Sequence, residues 1–446
     1  MKMMFTCSML CGMLAGLAHG LDSEQAGKPG LLEQTTTQDT SQSGSGPAAP
    51  DDGEDEVARR RDVPSEILDH SEAGYVGWLL LDWAGGRQKL EELGLSIEVL
   101  ETSDASVALQ GGADSGDVLT RNLFELYFAY DMEPTLGIKG GTLSAGLQWI
   151  SGVDASSRYG MAQAFSNIDS ERRLQLSRLW YEQAFESSGT SLRFGKIDGN
   201  SQFAYVDVAG QFLHSSMGFS PTIFLMPTYP DAAYGATLVQ EFGGGANVRG
   251  GVFDGALAEG VRTGERGPKT LFESPDGLFY IGEGGLDWSG KYPGRVAVGA
   301  WEHTSELARF DGGIEDGTSG SYALFEQRIW NQAVEGASKL DGFVQLGWAD
   351  PDVSPFESHL GLGLALTNPF GRVGDHCGLG LTRAGMSSAP GSEYDESSET
   401  AIEMYYGFEP LPWLRLKPDL QYVVNPGGLS AQEDAWIFTL RATFAL

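Results

Sequence analysis

The chain has 446 residues and a formal net charge of −32, and apolar residues make up 41 % of it. The excess of carboxylates argues against nucleic-acid binding, which needs basic patches. Beyond the N-terminus there is no run of about 18 apolar residues, so we expect no membrane-spanning helix. A membrane β-barrel remains open, because its strands alternate apolar and polar residues and keep the average hydropathy low.

The N-terminus has the pattern of an export signal. Lys2 supplies a positive charge, the stretch 9–17 is largely apolar, and Ala18 and Gly20 are small residues at a cleavage site. We therefore predict a secretory signal peptide over residues 1–20. Only Cys377 of the three cysteines lies beyond it, so the mature chain can form no internal disulfide.

Two further segments precede the strands. Residues 21–62 are rich in Ser, Thr, Gln, Gly, Pro and acidic residues and lack aromatics. This composition predicts a disordered acidic linker, since it cannot bury enough apolar surface to offset chain entropy. Residues 63–93 have helical features, with Pro64 at the start and Gly94 after the end. We expect a short N-terminal helical segment there.

From residue 94 onward the apolar residues recur at every second position, which is the period of a β-strand. Most of the predicted strands have the roughly 9–11 residues that a tilted membrane strand needs. Sixteen strands are predicted, at 94–103, 119–132, 138–151, 173–187, 190–198, 235–243, 246–256, 277–288, 294–304, 319–331, 339–350, 358–368, 376–386, 400–409, 413–425 and 434–446.

The last strand, 434–446, carries Trp436, Phe438 and Leu440 on one face and Thr439 and Arg441 on the other. Such a strand, together with an export signal, favours a closed antiparallel barrel in an outer membrane. We expect it to close the barrel against the strand that begins at Gly94. The predicted fold is thus an all-β, sixteen-stranded transmembrane barrel over 94–446.

The polar faces of the strands are expected to line water. Arg415 and Lys417 would each cost roughly 2–4 kcal/mol if they faced lipid near the bilayer midplane. Sixteen strands also leave an aqueous channel rather than a filled interior. A soluble β-sandwich with one solvated face shares the alternation, but it does not explain the strand number, the terminal aromatic strand and the signal together.

The candidate pore-lining residues combine charged groups with aromatic rings, which suits the hydroxyls and C–H faces of sugars. Arg178, Trp180 and Glu182 share one face of a strand, and Arg193 lies on the next strand. The alternative is that opposed charges simply neutralise one another and stiffen the wall. The other candidates are Glu125, Tyr127, Glu326, Arg328, Arg415, Lys417 and Asp419.

Residues 202–234 break the alternation, are rich in aromatic residues and contain three prolines. A connection of this length is usually functional when it is ordered. It either folds into the lumen as a constriction segment or decorates the mouth of the barrel.

Four stretches, taken together and in this order, resemble the carbohydrate-selective porin family, often called OprB-like. They are LLLDWAGGRQKL at 79–90, FGKIDGN at 194–200, the run from FLHSS to YPDAAYG at 212–235, and QYVVNPGG at 421–428. The resemblance implies a sixteen-stranded outer-membrane barrel through which glucose and related sugars diffuse. Ala84 and the terminal Leu446 depart from the family pattern, where Gly and Phe are usual.

We therefore expect an outer-membrane porin for carbohydrates and other small hydrophilic solutes, surrounded by outer-membrane lipid. A general, weakly cation-preferring porin is the nearest alternative. An outer-membrane hydrolase is a distant one, since it would need a positioned base, and only His214 beside Ser215 suggests one. Asp375-His376-Cys377 lacks further metal ligands, so we expect no metal and no cofactor. A homo-oligomer is among the candidate partners, and the sequence does not decide between a monomer and a trimer.

Overall fold

A computed structural model describes residues 85–255, 258, 277–332 and 338–445. The predicted signal peptide, the linker and the part of the helical segment before residue 85 lie outside the described residues. In the remainder of the predicted helical segment, helix α1 covers Gly86–Glu91. In the part of the chain that the structure describes, no helix is both long and apolar enough to cross a membrane.

Sixteen strands follow α1, as the alternation predicts. They are β1 Leu95–Gln110, β2 Val118–Asp131, β3 Gly141–Gly152, β4 Arg173–Phe185, β5 Thr190–Ile197, β6 Ala233–Glu241, β7 Ala246–Asp254, β8 Leu278–Trp288, β9 Gly294–Ala308, β10 Ile314–Asn331, β11 Lys339–Ala349, β12 Phe356–Thr367, β13 His376–Met386, β14 Ser398–Leu411, β15 Leu414–Val424 and β16 Ala435–Ala445. Short helices lie between them: α2 Glu133–Leu136, α3 Ala155–Tyr159 and α4 Ser215–Gly218.

Each strand pairs antiparallel with its neighbours in sequence, and β16 pairs with β1, so the sheet is a closed barrel. Some predicted boundaries were wrong by several residues. β1 continues to Gln110 instead of ending at 103, and β10 begins at Ile314 instead of 319. Both extensions are poor in large apolar residues, so the alternation that predicts a strand is weak there. Pairing with the neighbouring strand nevertheless keeps these residues in an extended conformation.

The three longest connections, 153–172, 198–232 and 255–277, leave the same end of the barrel. We call this the loop end and the opposite one the turn end. The turn end carries tight connections such as 186–189 and 412–413. This arrangement agrees with the predicted alternation of short turns and longer loops.

The seam between β1 and β16 is joined by side chains that face the lumen. Arg441 donates from Nε to Asp104 Oδ1 at 2.7 Å, and the hydroxyls of Ser106 and Thr439 lie 2.6 Å apart. Arg121 on β2 lies 3.4 Å from the same Asp104 carboxylate. Asp104 is therefore a buried anion held by two cations, and it joins three strands at the point where the barrel closes.

We predict that Asp104→Ala destabilises the barrel by about 3–5 kcal/mol, because it leaves the guanidinium groups of Arg441 and Arg121 buried without their common anion. The measurement is urea unfolding in lipid vesicles, followed by the shift in mobility of unheated samples on gels. Asp114→Ala is the matched control: Asp114 also lies 2.7 Å from an arginine, Arg158, but that pair is exposed. We expect the control to cost less than about 1 kcal/mol. Equal effects of the two substitutions would contradict the role of the seam.

Candidate functional site

Six of the predicted pore-lining residues lie together on the inner faces of β2, β4 and β5. The Arg178 guanidinium carbon lies 3.7 Å from the centre of the Tyr127 ring, and that of Arg193 lies 3.9 Å from the Trp180 ring. Both distances fall within the range of cation–π attraction. We call this set the polar ladder: Glu125, Tyr127, Arg178, Trp180, Glu182 and Arg193.

Carboxylates complete the polar ladder. Glu125 accepts hydrogen bonds from the Tyr127 hydroxyl and, at 2.8 Å, from the Gln148 amide. Arg193 Nε donates to Glu182 at 2.9 Å. Each arginine thus lies against both an aromatic face and a region of negative charge, and the surface alternates hydrogen-bond donors and acceptors.

Two backbone features place Arg178 in this position. β4 carries one extra residue, Ser177, between the positions that pair with Leu147 and Gly146 of β3. Such a bulge reverses which residues face inward, so that Gln175 faces the lumen before the bulge and Arg178 faces it after the bulge. Gly146 then leaves the space for the stacked pair, since a Cβ there would lie 2.6 Å from the Tyr127 ring.

The ladder residues differ in accessibility. Glu125, Tyr127, Arg178 and Glu182 are half-buried. Trp180 is only 5 % exposed, because it packs in an apolar cluster with Phe203 and other residues of the 198–232 connection. Trp180 therefore serves as the surface on which Arg193 stacks, and it offers no open aromatic face to a solute.

Three other predicted residues lie on the wall beside the 198–232 connection, and two of them bond to it directly. Glu326 on β10 accepts from the Val208 backbone N–H at 2.7 Å. Lys417 on β15 donates to the Gln211 carbonyl oxygen at 2.6 Å. Asp419, two residues further along β15, accepts from the Gln421 amide at 2.9 Å. Lys417 and Asp419 are both buried.

The last two predicted residues form ion pairs close to the turn end. Arg328 on β10 pairs with Asp341 on β11, near the point where both strands meet the connection between them. Arg415 on β15 pairs with Glu409 on β14, and its Nε donates to Glu409 at 3.1 Å. Neither pair belongs to the polar ladder.

The segment 202–234 lies inside the barrel, in contact with inward side chains of many strands. Its backbone N–H groups at Ala204, Leu213 and His214 donate to carboxylates of the wall, at 2.9, 2.5 and 3.0 Å. The acceptors are Glu283 on β8 and Glu403 on β14. The wall thus supplies the hydrogen bonds that a loop enclosed by a barrel cannot obtain from water.

Wall donors satisfy carbonyl oxygens of the same segment. Arg249 donates to Gln202 at 2.8 Å, and Arg295 donates to Tyr205 at 3.2 Å. Gln345 donates to the carbonyl of Ser216 at 2.7 Å. The sequence interpretation missed these wall residues, together with Glu283 and Glu403. Each is a polar residue at an inward position of an alternating strand, so the alternation could have marked it as facing the lumen.

A second connection, 153–172, also enters the lumen, which the sequence did not predict. Ala162 and Gln163 donate their backbone N–H groups to Glu399 at 2.8 and 2.7 Å. Arg441 of the seam donates to Asn167 at 2.8 Å. The Asn167 N–H in turn donates to the Leu213 carbonyl oxygen at 2.7 Å, so the two inserted segments support one another.

His214 caps the N-terminus of the short helix α4, so its side chain has a structural role. Its Nδ1 accepts from the Ser216 N–H at 3.3 Å, and the hydroxyl of neighbouring Ser215 donates to the Ala164 carbonyl oxygen at 2.7 Å. Burial lowers the pKa of His214 to about 3, so the ring is neutral at ordinary pH. Among the residues that the structure describes, no group of three or more His, Cys, Asp or Glu side chains could hold a metal ion.

Comparison with known proteins agrees with this architecture. The family model described as "Carbohydrate-selective porin, OprB family" matches residues 116–446, which is well over half of the chain. Porin B of Pseudomonas aeruginosa is 23 % identical over 421 residues, which cover 81 % of this chain and 89 % of that protein. The high-pH structure of Pseudomonas putida OprB superposes with a TM-score of 0.75 at 18 % identity, covering 82 % of this chain and 97 % of that one. The low-pH structure of the same protein gives a TM-score of 0.53 at 16 % identity with the same coverage.

The likeness to the solved structures establishes the fold, and the family model establishes the membership. Porins are channels of the outer membrane and not enzymes, and a closed barrel of sixteen strands is wide enough to leave an aqueous channel. This chain belongs to the OprB family of carbohydrate-selective porins.

Proposed function

We propose that sugars and other small hydrophilic solutes diffuse passively through this barrel along the polar ladder on β2, β4 and β5. The observation that carries this proposal is the stacking of Arg178 on Tyr127 beside the carboxylate of Glu125, with Glu182 further along the same face of β4. These four side chains are half-buried, whereas Lys417, Asp419 and Glu326 are buried against the inserted segments. The ladder is therefore the polar surface best placed to meet a solute.

The chemistry of the ladder suits a neutral sugar. A sugar hydroxyl can accept from the Arg178 guanidinium and donate to a carboxylate at the same time. An aromatic ring beside these groups can contact the apolar C–H face of the sugar. Arg193 already pairs with Glu182, and Glu125 already accepts from Tyr127. Because these groups have partners within the ladder, they hold a solute weakly, and a diffusion channel needs weak binding so that the solute leaves again.

The two inserted segments are proposed to narrow the lumen in front of the ladder. Both are held by side chains of the wall, as in the contacts of Glu403 with Leu213 and His214. A barrel of sixteen strands would otherwise leave a wide aqueous channel. Narrowing brings a solute within reach of the ladder, which is the condition for any preference among solutes.

A weak preference for cations is a second candidate property, and the loop end favours it. In the described connections at that end, carboxylates outnumber the basic residues Arg158, Arg172 and Arg309. Hydrogen bonds from Ser430 lower the pKa of Asp395, and the Gly313 N–H and Arg309 lower the pKa of Asp311, so both stay ionised. The acidic residues of these connections are Asp114, Asp117, Asp154, Asp169, Glu171, Asp198, Asp207, Asp231, Asp311, Asp350, Asp352, Glu393, Asp395, Glu396, Glu433 and Asp434.

Conduction and solute flux test the proposed function directly. The purified protein should conduct ions in planar bilayers, and liposomes that contain it should swell in isosmotic solutions of small sugars. Swelling rates for a series of sugars and for amino acids of similar size would separate a sugar-permissive pore from a general one. Silent bilayers together with absent swelling would contradict the proposed function. A reversal potential in a salt gradient reports the cation preference independently of sugar flux.

Substitution of Arg178 tests its role in the solute pathway. Arg178→Ala removes a charged donor to the sugar, which is worth about 1.5–3 kcal/mol, so sugar block of the ion current should weaken roughly tenfold or more. The fold should be retained, because the side chain is half-buried and Tyr127 keeps its contact with Glu125. Arg383→Ala is the matched control, since Arg383 is exposed on β13 and far from the ladder in the pairing order. Equal sugar block in wild type and Arg178→Ala would remove Arg178 from the pathway.

Arg193 should behave differently from Arg178. Arg193→Ala exposes the Trp180 face and leaves the half-buried Glu182 carboxylate without its 2.9 Å partner. We expect this variant to lose both sugar block and stability against urea, whereas Arg178→Ala loses only the former. The same block and unfolding measurements, made on both variants, test the difference.

Glu403 of the barrel wall holds the 198–232 connection in the lumen, and its substitution tests whether that connection narrows the channel. Glu403→Ala removes the acceptor of two backbone hydrogen bonds and should free the region around Leu213 and His214. If this segment narrows the lumen, single-channel conductance rises and discrimination among sugars falls. Glu409→Ala is the control, because Glu409 contacts Arg415 near the turn end. An unchanged conductance in a folded Glu403→Ala barrel would argue against the constriction.

A further inference from the structure

The outer surface of the barrel has a cavity of about 550 Å³ at the loop end. Its lining comes from Gln110 at the end of β1, Tyr422 near the end of β15, residues 430–434 of the next connection, and Trp436 at the start of β16. Trp436 and Tyr422 face the membrane side, because the residues next to them, Ile437 and Gln421, are fully buried inside the barrel. The cavity is therefore separated from the solute pathway by the barrel wall.

An aromatic pair forms one wall of this cavity. Trp436 and Tyr422 lie directly opposite one another on β16 and β15, and their ring centroids are 4.7 Å apart. Trp436 is 41 % exposed, so part of its ring is open to a ligand. An open aromatic face of this kind can contact the apolar C–H face of a sugar ring.

Polar groups surround the aromatic pair. The Asp434 carboxylate accepts from the Tyr422 hydroxyl at 2.7 Å and from the Asn425 N–H at 3.1 Å. A carboxylate has about four acceptor sites, so Asp434 can accept further hydrogen bonds from a ligand. Gln110 and Glu433 add an exposed amide and a second exposed carboxylate. The cavity thus offers hydrogen-bond donors and acceptors beside an aromatic face.

The polar side of the cavity is held in place by hydrogen bonds between neighbouring connections. Ser430 donates from its N–H and its hydroxyl to the two oxygens of Asp395, at 2.7 and 2.6 Å. The Gly112 N–H donates to the Glu433 carbonyl oxygen at 3.0 Å. The connection between β15 and β16 is therefore fixed on both sides, and the fold itself shapes the cavity before a ligand binds.

From the cavity toward the middle of the strands, the outer surface is apolar. Phe438 and Leu440 follow Trp436 on the outward side of β16 and are 37 % and 39 % exposed. In outer-membrane barrels the longer loops lie on the outer side of the membrane, and aromatic girdles mark the boundary between hydrocarbon and head groups. The cavity therefore lies at the level of the head groups of the outer leaflet, with a surface for acyl chains directly beside it.

We propose that this cavity binds the sugar head group of a glycolipid of the outer leaflet, whose acyl chains lie against Phe438 and Leu440. Sugar hydroxyls can donate to the carboxylates of Asp434 and Glu433, and the C–H face of the sugar can lie on Trp436. The phosphate of a phospholipid suits the cavity less well, because the two carboxylates repel it and none of the described lining residues is basic. This inference goes beyond the proposed function, since it concerns the outside of the barrel and not solute flux.

Photo-cross-linking in outer membranes tests this proposal. A benzophenone amino acid in place of Gln110 should give an adduct that stains for carbohydrate on gels. The same amino acid in place of Trp348 is the matched control, because Trp348 is a 48 % exposed residue near the loop end of β11 and does not line the cavity. Equal glycolipid adducts at the two positions would overturn the proposal, since they would report random contact. An adduct of the Gln110 position with phospholipid or with a protein, and none with glycolipid, would overturn it as well.

Binding to the purified full-length protein in detergent gives a second readout. The probe is a lipopolysaccharide with a short sugar chain, titrated by calorimetry. Trp436→Leu should weaken binding roughly three- to tenfold, because it removes the ring face and keeps an apolar side chain beside Tyr422. Gln110→Ala should weaken binding as well, and Trp348→Leu should bind like wild type. Mobility of unheated samples on gels verifies that each variant is folded. Equal affinities of wild type and both cavity variants, or equal competition by phosphatidylethanolamine, would contradict a glycolipid site.

Discussion

The constraint on which this structure depends is that a sheet inside a membrane can leave no backbone group unpaired, so β16 must return to β1. The closure is fixed by polar side chains on the inside of the seam. The Asp104 carboxylate of β1 contacts both Arg441 of β16 and Arg121 of β2. Because a shift of one residue would turn this anion outward into lipid, the same contact that joins the strands also fixes their register.

Closing the barrel creates a second requirement, which shapes the lumen. The inner wall carries many charged and amide side chains, and a buried one is stable only when it is paired. The inserted segments supply partners through their backbone: Glu403 accepts from Leu213 and His214, and Glu399 accepts from Ala162 and Gln163. The wall and the inserted segments therefore stabilise one another, and the polar ladder on β2, β4 and β5 is left largely half-buried.

Much of this architecture follows from local sequence. The alternation located all sixteen strands, since a strand with one lipid face and one wet face must repeat every two residues. It also identified the inward side of the predicted pore-lining strands, including that of Arg178 beyond the bulge at Ser177, because Leu179 and Tyr181 mark the apolar side of that half of β4. Strand ends such as those of β1 and β10 were wrong, because cross-strand pairing and not local preference decides where they end.

What the sequence by itself determined is thus the barrel, its strand order and many of the side chains that face the lumen, all of which depend on residues close together in the chain. Only the tertiary structure decided what these side chains do there. Trp180 and Lys417 share the inward pattern of Arg178, yet they lie beneath the 198–232 connection while Arg178 remains half-buried. The reason is that their environment is set by contacts between residues far apart in the chain, such as that of Glu403 with Leu213, and no periodicity encodes such pairs.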